Sequence, residues 1–135
     1  MANFVFGDCV EIICNHLGIT YRYAPKSNES FNVDKGGVRG NDDTNQVTSN
    51  GQNMRQLNMA KWSIEGPIAV DQISDYELST LNLMAGSPSE GIWQFAMRNG
   101  TIYKGKGAPV GDIVTDSNAG TLTLKVAGGG ILEKI

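Results

Sequence analysis

Only one stretch of this chain reads plainly as helix, Ser74 to Gly86, and that confines everything else to strand and turn. Ser74 is suited to an N-cap, since its hydroxyl accepts from a backbone N–H of the first turn. Glu77, three residues on, is placed to reach back to the Ser74 N–H and close a capping box. Leu78, Leu81 and Ala85 recur at helical spacing, and Tyr76, Leu83 and Met84 widen the apolar face. Gly86 suits the left-handed position that ends a helix, and Pro88 forbids a restart. A single amphipathic helix in a β-rich chain covers an open sheet face or a barrel mouth. Leu78, Leu81, Met84 and Ala85 are therefore the expected core contacts of this helix.

With 135 residues the chain is one domain by size, residues 1–135. Its charged fraction of 19% against 40% hydrophobic suits a folded protein rather than a disordered one. Seventeen glycines, with scattered Asn, Asp, Ser and Thr, supply the turns of an antiparallel β fold. A net charge of -3 argues against a grip on nucleic acid. No apolar run approaches the roughly 18–20 residues of a membrane-spanning helix. Met1-Ala2-Asn3-Phe4-Val5-Phe6 lacks the basic start of a secretion signal, so cytoplasmic synthesis is expected. Cys9 and Cys14 are then expected as free thiols. On a regular strand they would lie about 16 Å apart and on opposite faces, too far for a mutual disulfide.

The first segment fits two readings. Val10, Ile13, Cys14 and Leu17 fall at helical spacing, with Asp8 and Glu11 as a capping pair. Val10, Ile12 and Ile13 are β-branched, and Asn15–Gly18 reads as a loop between strands Val10–Cys14 and Ile19–Ala24, which favours a hairpin. Phe31–Val33 is a short strand running into a sharp Gly36-Gly37 turn. The polar stretch Gly40–Gln52 holds one valine and nothing to bury; loops of this length in compact domains are usually either functional or disordered. Met54–Ile68 is a long strand-like run, with Trp62 and Ile64 on one face. Gly91–Met97 alternates Trp93, Phe95 and Met97 against Ile92, Gln94 and Ala96. Asn99-Gly100 signals a type I′ hairpin into Thr101–Lys104. Val110–Thr115, Thr121–Val126 and Ile131–Ile135 complete a meander. The fold class expected is mainly β, an antiparallel sandwich or half-barrel with one flanking helix at about 74–85.

Catalytic chemistry is hard to find in these residues, and no catalytic, metal or cofactor site is expected. Gly100–Gly107 nearly spells a phosphate-binding loop, but Gly107 stands where a magnesium-binding hydroxyl is required. His16, the only histidine, reads as a turn residue rather than a base. Asp42-Asp43 and the pair Asp112 and Asp116 lack the spacing of a calcium loop and read as solvated turn carboxylates.

The order of blocks, however, resembles the tail tube proteins of bacteriophages with contractile tails. An N-terminal hairpin is followed by Ala24-Pro25-Lys26-Ser27-Asn28-Glu29-Ser30-Phe31 and the Gly36-Gly37 turn. Then come the polar loop, Trp62-Ser63-Ile64-Glu65-Gly66-Pro67-Ile68, and the Leu-rich helix. The Asn-Gly hairpin leads to Gly105-Lys106-Gly107 and Val110-Gly111-Asp112-Ile113, and the chain closes with Leu122-Thr123-Leu124-Lys125-Val126. Each block alone is weak; their order is what carries the likeness. The long insert Gly40–Gln52 and the two cysteines depart from the family pattern.

The resemblance implies a non-enzymatic structural protein of the virion. Six copies would close a ring by pairing sheet edges, and rings would stack into a hollow tail tube that conducts DNA inside a contractile sheath. Implied partners are further copies of the chain, the sheath protein, the tape measure protein and DNA in the lumen, and baseplate and tail terminator proteins. Its place would be the virion tail, with assembly in the host cytoplasm. An acidic subunit suits a channel through which DNA slides without sticking. The expected contact between rings or neighbours is the loop, through Gly40, Asn41, Asp42, Asp43, Thr44, Asn45, Gln46, Val47, Thr48, Ser49 and Asn50, continued by the strand start Met54–Leu57 with Met54 and Arg55. Two competing readings stand beside it, besides a tail terminator or baseplate hub with the same fold. One is the tube of a contractile secretion or bacteriocin apparatus. The other is a monomeric β-barrel binding module with a pocket lined by Trp93, Phe95 and Tyr103.

Overall fold

A computed structural model describes residues 4–40 and 47–135. Eleven strands and one helix follow one another among them: β1 Cys9–His16, β2 Ile19–Tyr23, β3 Asn32–Asp34, β4 Gly37–Gly40, β5 Leu57–Ala60, β6 Trp62–Ala69, α1 Tyr76–Ala85, β7 Gly91–Met97, β8 Ile102–Pro109, β9 Thr115–Asp116, β10 Thr121–Gly128 and β11 Glu133–Lys134. All pairings are antiparallel, in the order β2-β1-β7-β8-β10-β6-β3. Strand β8 belongs to two layers. Its residues 102–107 pair with β7, and Ala108 and Pro109 pair with β10. The ladder thereby folds over on itself as a β-sandwich with one short helix.

The core lies between the layers. Ile12, Cys14, Trp93 and Phe95 face Trp62, Ile64, Ile68, Leu122, Leu124 and Val126, all at most 2% exposed. Alternation along β6 and β10 puts these residues on one face, as period-2 patterning requires. Trp62 lies where three glycines leave room. A Cβ at Gly105 would stand 2.8 Å from its ring, one at Gly107 2.8 Å, and one at Gly128 2.8 Å. The sheet is thinned to backbone beneath the indole, and this explains why Gly105-Lys106-Gly107 sits inside a strand instead of a phosphate loop. The other tryptophan donates its indole N–H to the Gly107 carbonyl at 3.1 Å and stacks on Tyr23 and Phe95. Past β2, the chain crosses to the second layer. Lys26 N–H donates to Pro67 O at 3.1 Å and Ala69 N–H to Ala24 O at 2.8 Å, lacing one side of the sandwich without closing a barrel.

The helix covers the β1–β2 side. Leu81 and Met84 are buried, with the Met84 sulfur 3.6 Å from Cys14 Sγ, and Leu78 is half-buried. Ala85, expected to share this face, is exposed instead, as is Leu83. The inward stripe is the narrow 77–81–84 edge. The start also differs from the expected capping box. The N-cap is Asp75, in a left-handed conformation (φ 56°), with no side-chain cap bond. Glu77 accepts from the Asp71 N–H, and the Asp71 carboxylate gathers the N–H groups of Ile73 and Ser74. Those backbone donors hold the Asp71 carboxyl below its ordinary range. Gly86 ends the helix at φ -87°, not left-handed.

The N-terminal segment is a hairpin, not a helix, closed by Leu17 (φ 52°) and Gly18 (φ 79°). A bulge between Cys9 and Glu11 resets the alternation, so Cys9 and Cys14 both point inward rather than to opposite faces. Asn99 does not take the positive φ of a type I′ turn; only Gly100 does (φ 92°). Met97 N–H donates to Thr101 O at 2.8 Å and Gly100 N–H to Met97 O at 3.0 Å. Val110–Val114 is loop, not strand: Val110 N–H still donates to Lys125 O at 2.9 Å, and the chain pairs with β10 again at Thr115–Asp116.

Candidate assembly surface

One feature stands outside the sandwich. β3 pairs with β6 from Asn32↔Glu65 to Asp34↔Ser63, and β4 pairs with β5 from Gly37↔Ala60 to Gly40↔Leu57. The register is the same in both, so the two pairs are one long β-ribbon. Its inner half belongs to the sheet and its outer half, β4–β5, is a separate two-stranded sheet. The neck between them is Lys35-Gly36. Gly36 has φ 74° and Gly37 φ 106°, which side-chain-bearing residues rarely adopt. A Cβ on Gly36 would also lie 2.7 Å from Trp62 N and 2.9 Å from Gly130 O. The Gly36-Gly37 pair thus bends a continuing ribbon instead of reversing the chain. Asp34 braces the bend, accepting from Gly36 N–H at 3.0 Å and from Arg39 Nη2 at 2.7 Å. The Arg39 hydrogen bond, more than the Gly36 amide, holds the Asp34 carboxyl below the usual carboxylate range.

The outer ribbon has two unlike faces. Val38 stands opposite Met59, and Leu57 opposite Gly40, so these three apolar side chains share a face. They are 62%, 63% and 59% exposed. Arg39 and Asn58 hold the other face. Of the expected contact residues, Gly40 ends β4, with the Arg55 guanidinium over its Cα (2.8 Å from a Cβ placed there). Val47, Thr48, Ser49 and Asn50 form a small turn at the far end, where Val47 bridges Asn53 and Thr48 N–H donates to Gln52 O at 2.8 Å. Met54 and Val47 are exposed. Asn41, Asp42, Asp43, Thr44, Asn45 and Gln46 lie outside the described residues. Sequence reading missed Val38 and Met59 as surface residues. The available signal was Leu57-Asn58-Met59-Ala60 alternating opposite Gly37-Val38-Arg39-Gly40, a pairing too narrow to bury either apolar side.

A second apolar segment is exposed at the chain's start. Phe4 and Phe6 are each 89% exposed and Val5 65%. It is tied to the body at its base, by Asn99 Nδ2 donating to Val5 O at 2.8 Å, Arg98 N–H to Asp8 O at 2.8 Å, and an Arg98–Asp8 ion pair at 3.1 Å.

Groups considered for chemistry have structural duties. His16 is buried with Nε2 3.1 Å from the Ser89 carbonyl. Asp116 accepts from the N–H groups of Asn118 and Ala119, shaping its turn. Trp93 and Phe95, expected to line a pocket in the binding-module reading, are core residues with 0% and 1% exposure. Burial pushes the Cys9 thiol up to about 11 and the Cys14 thiol up to about 12. Among the described residues no group of three His, Cys, Asp or Glu is placed to hold a metal ion.

The chain matches no protein-family model and no curated protein. Among solved structures, it is similar to a chain in the cryo-EM structure of the anti-feeding prophage (AFP) baseplate, 6-fold symmetrised, with 12% identity and a TM-score of 0.45 over 100% of this chain and 97% of that chain.

Proposed function

We propose that this chain is a non-enzymatic structural subunit of a contractile injection machine, and that it builds the machine's inner tube as stacked rings of six. The observation that carries this reading is the β-ribbon. A continuous register takes two strands out of the sandwich and leaves Val38, Leu57 and Met59 exposed together on one face, beside the Arg55 guanidinium over Gly40. Contiguous apolar side chains left exposed in this way are the kind of surface that takes another chain. The block order from Ala24 to Val126 supports the tube rather than another component. In this role the subunit would meet sheath, tape measure, baseplate and terminator proteins, and DNA would pass without tight binding. The tube of a secretion or bacteriocin apparatus shares this geometry; neighbouring genes for a capsid, or their absence, separate the two.

Negative-stain electron microscopy of the purified, concentrated protein is the direct test. Six-membered rings or hollow tubes are the expected outcome. A monodisperse monomer at every concentration, and also in the presence of baseplate nuclei, overturns the reading.

A further inference from the structure

We propose that the two ends of the β6–β10 ladder carry opposite charge and that the lysine end of one copy docks on the carboxylate end of another copy. The inference rests on the assembly reading and goes beyond it, since it names the charges that hold one copy to the next. The ladder runs from Trp62↔Gly128 to Ala69↔Thr121. Exposed Lys61 directly precedes its first end, and exposed Lys35 lies at the neck beside it, where its carbonyl accepts from Leu132 N–H at 2.9 Å. Lys104 and Lys106 line a depression against Gly129 and Gly130, with Glu133 as its carboxylate. None of these four lysines is in an ion pair among the described residues, whereas Arg22, Lys26, Arg39, Arg98 and Lys125 all are.

The far end is acidic. Asp71 and Glu77 line a second depression with Ala69 and Val70. Asp75 stands at the start of α1 and Asp116 in the turn before β10. Gln72 Nε2 donates to Ser117 O at 3.3 Å and Val70 N–H to Gly120 O at 2.9 Å, which joins the two turns into one surface. The cation that lines this depression, Arg22, is taken by Glu11 at 2.7 Å. Glu77 is only 9% exposed, accepts from the Asp71 N–H, and has no ion-pair partner among the described residues. Carboxylates so buried are almost always paired, so this end calls for cations from outside the chain.

The two ends cannot satisfy each other within one copy. The eight residues of β6, at about 3.3 Å each, hold them about 25 Å apart, well beyond the screening length of about 10 Å at 0.1 M salt. Between copies they can meet. Because the two surfaces differ, each copy gives its lysine end to one neighbour and receives one from another, and such a heterologous contact repeats instead of stopping at a dimer. Like charge at each end repels the reversed approach, which fixes the polarity of the assembly.

The test uses two full-length double variants, since single exposed charge pairs contribute little. Lys61→Glu with Lys106→Glu reverses the lysine end, where neither side chain has an ion pair to lose. Asp75→Asn with Asp116→Asn neutralises the other end, and the amide oxygens can still accept from the Ser79 hydroxyl and from the Asn118 and Ala119 N–H groups. In sedimentation velocity the parent's particles are expected to shrink as salt rises from about 0.01 M to about 1 M, over which the screening length falls from about 30 Å to about 3 Å. Each variant alone is expected to associate about tenfold more weakly than the parent, or less. An equimolar mixture of the two is expected to give a complex twice the size of either, because each variant keeps one intact end. Variants that assemble like the parent overturn this contact and leave the assembly reading standing. Variants that fail alone and form no complex when mixed also overturn it, since each loss is then local to its own substitutions. A parent that stays monomeric at every concentration and salt overturns both readings.

Discussion

Val38 faces Met59 across the outer ribbon in the same register in which Val33, itself 36% exposed on the edge strand, faces Ile64. Ile64 is fully buried and Met59 is 63% exposed. One continuous pairing therefore runs from core to open surface. Ile64 and Met59 are both apolar, and of the two only Ile64 has a second layer to pack against.

Met59→Glu is expected to leave the fold intact and to stop assembly. An exposed site changes stability by no more than about 0.5 kcal/mol, so the thermal midpoint should stay within a degree or two of the parent. Sedimentation velocity should show monomer where the parent shows larger particles. A variant that unfolds at much lower temperature would mean that Met59 is part of the subunit's own packing.

Gly105→Ala is expected to destabilise by about 1–3 kcal/mol, the usual cost of overfilling a packed core. Its new methyl would press on the Trp62 ring at 2.8 Å and on Leu132 at 2.7 Å. Gly129→Ala, where a Cβ has no neighbour within 4 Å, is the matched control and should change little. Urea titrations followed by tryptophan fluorescence compare the two.

The helix face can be checked by a contrasting pair. Leu81→Ala removes a fully buried side chain and should cost about 2–5 kcal/mol. Ala85→Glu, on the exposed side, should cost no more than about 0.5 kcal/mol. Equal losses in thermal melts would contradict the helix orientation.

Stability is expected to fall in alkali. The ordinary thiol value is 9.0, and burial raises Cys9 to about 11 and Cys14 to about 12. A raised thiol value means that the folded state keeps protons that the unfolded state releases. The contribution is therefore fully present below pH 9 and is lost progressively as pH rises from there through 11–12. Burial raises Tyr23 as well, adding in the same sense. Cys9→Ala combined with Cys14→Ala should flatten the alkaline limb between pH 9 and 11 in chemical denaturation, and native parent protein should resist thiol reagents at pH 8.

Much of this molecule was legible in its residues. Strict alternation marked β6, β7 and β10 and named their inward faces, because a two-residue period survives whichever layer the strand joins. The lone helix was legible too, although Val10–Leu17 showed helical spacing as well and only its β-branched residues favoured a hairpin. Tertiary structure alone decided the rest. A bulge at Val10 turned both cysteines inward, which a one-residue slip does to every side chain before it. The helix cap passed from Ser74 to the Asp71 turn because Glu77 accepts from the Asp71 N–H while the Asp71 carboxylate takes the N–H groups of Ile73 and Ser74. Gly36-Gly37 read as a reversal because glycine permits sharp turns, yet here positive φ serves a bend in a continuing ribbon. Which apolar residues stay exposed is the deepest case. Val38, Leu57 and Met59 alternate as core residues do, and their exposure follows only from where the second layer of the sandwich ends.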